Sequence, residues 1–77
     1  MTEQNRKKIE VSSKHNELCK ILKYENLVQS GGEAKFAIAE GEVKVNGEVE
    51  TRKRKKIFSG DVIEFDGQVL DVVLSED

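Results

Sequence analysis

Apolar residues change their spacing once along this chain, and the change falls at Gly41. Before it, Leu18, Ile21 and Leu22 stand at i, i+3 and i+4, which puts them on one face of a helix. Ser12 and Ser13 offer starts, and the predicted helix covers His15 to Glu25, with Lys14, Glu17, Lys20 and Lys23 on its wet side. Cys19 reads as a small, part-buried core filler. A second helix is marked by Ser30-Gly31-Gly32-Glu33, where a serine N-cap and a glutamate three residues on form a capping box. Ala34, Ala37 and Ile38 make its apolar stripe, Phe36 sits on the flank, and Gly41 is the expected stop.

From Glu42 the period becomes two. Val43 and Val45 flank Lys44, and Asn46-Gly47 is a turn signal. A two-residue loop would pair Lys44 with Val49 and mix the faces. A three-residue loop over Val45, Asn46 and Gly47 pairs Val43 with Val49 and sets Lys44 opposite Glu48, and this is the expected register. Ile57 and Phe58 return to the core, Ser59-Gly60-Asp61 turns, and strands follow at Val62 to Phe65 and Gln68 to Leu74. A two-residue turn at Asp66-Gly67 sets Ile63 against Leu70. The predicted fold class is α+β, two helices packed on a small antiparallel sheet. Residues 12–77 form the single domain, and residues 1–11, which lack a periodic apolar face, form a flexible tail.

Charge changes this picture more than composition does. The net charge is −2, yet Arg52, Lys53, Arg54, Lys55 and Lys56 place five of the 13 basic residues side by side. The rest of the chain is strongly acidic, so the cations form a local face on an acidic body. Arg52 and Arg54 can fork onto phosphate oxygens, while Lys53, Lys55 and Lys56 act as point charges. In an extended segment Arg52, Arg54 and Lys56 would share one side. Gly31 and Gly32 leave the first N–H groups of the second helix uncovered, and Lys35 lies one turn in, so a phosphate could be cradled there against the opposing charge of Glu33. The bland readings are a tight turn for the glycines and a solvated cluster balancing Glu48 and Glu50 for the basic run. Lys44 is as well placed to pair with Glu48 as to touch a phosphate, and Asn46 is a turn residue before it is a base reader.

Other chemistries find little support. One cysteine, Cys19, and one histidine, His15, make neither a disulfide nor a four-ligand zinc site, and no cofactor is called for. No carboxylate lies in an apolar stretch that would tune it for acid–base work, so no catalytic residue is expected. Tyr24 and the three Phe residues are too few for a platform of stacked single-strand bases. No apolar run reaches the roughly 20 residues of a membrane span, and the opening residues are polar, so a cytoplasmic protein is expected.

Ser30, Ala34, Gly41, the hairpin Val43-Lys44-Val45-Asn46-Gly47 and the turn Gly60-Asp61-Val62-Ile63 occur in an order that resembles the RNA-binding domain first known in ribosomal small-subunit protein four. Gln29-Ser30-Gly31-Gly32-Glu33-Ala34-Lys35 looks most like its short stand-alone members, called YbcJ-like or YaaA-like. The resemblance covers about Leu18 to Val73. It implies an alpha-L fold that offers the second helix and the adjoining hairpin to structured RNA and carries no catalytic group. Many family members have an Arg directly after the helix-start Ser, where this chain has Gly31; that contact is either lost or taken over by Lys35 and the later basic run.

The expected function is thus RNA binding by Arg52, Lys53, Arg54, Lys55, Lys56, Lys35, Lys44, Gly31 and Gly32, as a monomer. Ribosomal RNA or a ribosomal particle is the favoured partner, with transfer RNA or messenger structure as further options. The alternative is an adaptor that docks its basic strip on an acidic protein.

Overall fold

Local chemistry alone accounts for the longer α-helix of the computed structural model, which describes residues 5–75. Helix α2 spans Gly31–Ala39. Its N-cap Ser30 accepts the Glu33 N–H at 3.1 Å, and the Glu33 carboxylate reaches back to accept the Gln29 N–H at 2.7 Å. At the other end Gly41, at φ +78°, donates to the Ile38 carbonyl while Glu42 donates to Ala37. That is the Schellman pattern, and it needs the left-handed backbone that glycine adopts without strain.

Helix α1 is shorter than its pattern implies. It spans Leu18–Tyr24, and Ser12 instead caps a 3-10 turn over Ser13–His15 by accepting the Lys14 N–H. The missing turn has a tertiary cause. Asn16 is buried and exchanges hydrogen bonds with Ile57, so its backbone is committed to a distant segment rather than to a helix. At its far end Asn26 takes the positive-φ position, with Leu27 donating back to Leu22.

Five strands form one sheet in the order β1-β5-β4-β2-β3: β1 Asn5–Ser12, β2 Val43–Val45, β3 Glu48–Val49, β4 Val62–Phe65 and β5 Gln68–Ser75. Two expectations are corrected here. Residues 5–11, assigned to a flexible tail, are the greater part of β1, and residues 1–4 of that tail lie outside the described residues. Strand β1 pairs with β5 in parallel, so the sheet is mixed; its other pairings are antiparallel as expected. Ile9 and Val11 reach the core while Arg6, Lys8 and Glu10 stay wet, an alternation too brief and too charged to stand out, as suits an edge strand.

The first hairpin corrects a third. Lys44 pairs with Val49 and Val45 with Glu48, the two-residue register. Asn46 and Gly47 sit at φ 54° and 84°, the paired positive values of a type I′ turn. The face argument lost because β3 is an edge strand whose Val49 remains 55% exposed. Lys44 therefore faces Glu64 across β4, not Glu48. The second hairpin matches expectation, with Ile63 opposite Leu70.

Both helices cover one face of this sheet. Leu18, Ile21, Leu22 and Ile38 meet Ile9, Val43, Ile63, Leu70 and Val72 there, all nearly inaccessible. Each such side chain contributes about 1.5–3 kcal/mol. Cys19 is buried and free, so no disulfide shares the task. No helix among the described residues is long and apolar enough to cross a membrane.

Candidate functional site

The basic run joins β3 to β4, and its backbone is stitched to the start of α1. The Leu18 N–H donates to the Lys55 carbonyl at 2.9 Å and the Cys19 N–H to the Lys53 carbonyl at 3.1 Å. Two N–H groups that a helix start leaves orphaned are thereby satisfied by the loop. Next to them Glu17 and Lys56 form an isolated bridge, and the Ile57 N–H donates to the Asn16 carbonyl at 2.9 Å. The Asn16 amide closes the ring by donating to the Ile57 carbonyl at 2.9 Å. With Ile57 fully buried behind it, the loop has its carbonyls tied inward and its cationic side chains left outside.

The segment is not extended. A turn at Lys53 and Arg54, with the Lys55 N–H donating to the Arg52 carbonyl at 3.2 Å, replaces the alternation that would have put Arg52, Arg54 and Lys56 on one side. All five cations instead border one open depression of about 740 Å³, together with Thr51 and Phe58.

Their electrostatic states differ. Arg52 forks onto Glu50, with Nε at 2.9 Å and Nη2 at 3.1 Å, and its backbone N–H donates to the same carboxylate at 3.0 Å. These hydrogen bonds, with the positive charge of Arg52 and Lys55 beside it, hold the Glu50 carboxyl down to about 2 from an ordinary 4.5. Arg52 is raised in turn by Glu50. Its side chain is nonetheless 70% exposed, so part of the guanidinium edge still faces solvent. Lys56 lies 3.9 Å from Glu17, a long contact shared with Lys20. Among the described residues Lys53, Arg54 and Lys55 have no ion pair.

The remaining expected contacts are not part of this depression. Lys35 is exposed on α2. Gly31 and Gly32 form the first turn of that helix, and a Cβ at Gly31 would meet nothing within 4 Å, so no packing contact requires glycine there. Glu33, folded back over Gln29, keeps a negative charge beside them. Lys44 projects from the sheet face opposite the helices. Asn46 is spent on the turn: its amide donates to Asp61 at 3.0 Å and its oxygen accepts the Val62 N–H at 2.9 Å. Sequence reasoning missed Glu50 as the clamp on Arg52, Asn16 as the stitch and Phe58 as an exposed ring. Only the spacing of Glu50 and Arg52, two apart, carried a local signal. No group of three or more His, Cys, Asp or Glu among the described residues is placed to hold a metal ion.

Residues 9–73 match the S4 domain, which spans the helices, the hairpin and the stitched loop together. The chain belongs to the S4 domain family. It is similar to YbcJ of Escherichia coli (strain K12), with 56% identity over 59 residues, covering 77% of this chain and 84% of that one. RlbA of Bacillus subtilis (strain 168), which carries the name "Probable ribosome maturation protein", is 44% identical over 50 residues, covering 65% of this chain and 70% of that one. The solution structure of E. coli YbcJ, described as revealing an alfaL motif involved in RNA-binding, has a TM-score of 0.61 at 46% identity and covers 95% of this chain and 91% of that chain. The S4-type resemblance and the alpha-L fold expected from the sequence are thus both met.

Proposed function

We propose that this chain is a binding module for structured RNA, not a catalyst, and that it seats a phosphate backbone along the depression bordered by Arg52, Lys53, Arg54, Lys55 and Lys56. The observation that carries this is the hydrogen-bonded loop with its carbonyls turned inward and three of its five cations outside any ion pair among the described residues. Folded RNA offers phosphates and ribose hydroxyls rather than readable base edges in its deep groove, so fixed cations are what it requires. Lys35 with the Gly31-Gly32 N–H groups and Lys44 serve as outlying contacts for a longer RNA. The involvement of YbcJ's motif in RNA-binding supports the reading, and the name of RlbA favours ribosomal RNA in an assembling particle as the partner.

A titration against a naked RNA stem-loop, with no other protein present, tests it. Neutralising about four phosphates gives a slope of log K against log salt of about −3 to −4, or a roughly hundredfold loss between 50 and 200 mM. A slope near zero, or no binding to naked RNA, would exclude the phosphate-seating reading. Binding only to an acidic protein would leave the adaptor role.

A further inference from the structure

Among the described residues, four large apolar side chains are well exposed: Tyr24, Phe36, Val49 and Phe58. Scattered exposed apolar residues are ordinary on protein surfaces and by themselves say nothing. Phe58 differs in its company, because it alone of the four lines the cationic depression.

The backbone that carries the ring is also held from behind. Ile57, the preceding residue, is fully buried. The Phe58 N–H donates to the Asp61 carboxylate at 2.8 Å, and the Asp61 N–H returns to the Phe58 carbonyl at 3.0 Å. The other Asp61 oxygen accepts from Asn46 at 3.0 Å, tying this turn to the first hairpin. Gly60 donates to Val72 and Leu74 donates to Ser59, so the turn is fastened to β5 as well. With its backbone held on both sides, Phe58 stands 55% exposed at the border of the depression.

An exposed aromatic face beside fixed cations matches a nucleotide that is not paired. Its phosphate meets the charges and its base meets the ring, and such stacking tolerates any base because each has a π-face. Paired bases are already stacked on their neighbours and cannot use it. We propose that Phe58 stacks on an unpaired base adjoining the helical segment whose phosphates the basic loop holds, so that the preferred ligand is a stem carrying a bulge or an open loop edge. This rests on the RNA reading above and narrows it. One ring is not the multi-base platform that the sequence excludes; it selects a single nucleotide.

The experiment compares two RNA hairpins that differ only by a single-nucleotide bulge, binding each to the full chain and to Phe58→Leu by fluorescence anisotropy. The wild type is expected to prefer the bulged hairpin, and Phe58→Leu to lose about 5- to 100-fold on that RNA with little change on the paired one. A second variant, Phe58→Trp, uses the absence of any tryptophan in the chain. Its indole emission should be quenched by the bulged hairpin and much less by the paired one. If both RNAs bind with the expected salt slope but Phe58→Leu matches wild type on each and the indole does not respond, stacking is wrong and the basic interface survives. If wild type binds neither RNA, both readings fall together.

Discussion

Glu50 and Arg52 hold each other in the conformation from which Arg52 meets solvent. Because hydrogen bonds from Arg52 depress the Glu50 carboxyl to about 2, the pair favours the folded state above the ordinary 4.5 and loses that contribution as pH falls toward 2. Arg52 is solvent-facing, so screening keeps the contribution small. Urea denaturation of Glu50→Gln should show that small loss at neutral pH and a flatter decline than wild type between pH 4.5 and 2. Equal acid sensitivity in the two proteins would assign the decline to other carboxylates. At this scale the sequence was partly readable. The cations announced themselves, whereas the roles of Glu50 and Asn16 depend on a turn and a remote carbonyl that no spacing rule reveals.

Among the elements, legibility followed the range of the interactions that set them. Helix α2 was readable end to end because Ser30, Glu33 and Gly41 each bond to a group only three or four residues away. The start of α1 was not, because Asn16 and Glu17 are claimed by Ile57 and Lys56 some 40 positions away. Strand β1 was missed for the same reason: its partner β5 lies at the other end of the described chain, and only Ile9 and Val11 show its inner face. Strand β1 should nonetheless matter for stability. Ile9 is 3% exposed, so Ile9→Ala is expected to cost about 2–5 kcal/mol, read as a lowered denaturation midpoint. A change below about 0.5 kcal/mol would mean that residues 5–11 are dispensable to the core.

For the whole molecule, the fold separates the work of its backbone from that of its charges. The net charge is −2, so the cations meet a polyanion only as a local patch and long-range steering is weak. Salt should therefore affect binding far more than folding. Lys53 and Arg54 are exposed and have no ion pair among the described residues, while the loop is held by main-chain bonds. Replacing both, as Lys53→Glu with Arg54→Glu, should leave the melting transition nearly unchanged and abolish measurable RNA affinity at 150 mM salt. Unfolding of this double variant would show that the side chains, too, hold the loop in place.

The parallel pairing of β1 with β5 has a mechanical corollary. The described chain enters that ladder at Asn5 and leaves it at Ser75, at opposite ends of two strands running the same way. Tension applied through both termini would slide the strands past each other and load the whole ladder together, whereas an antiparallel terminal pair would be peeled open bond by bond. A domain closed in this way yields late and abruptly when pulled, with the stitched loop still intact until the ladder gives.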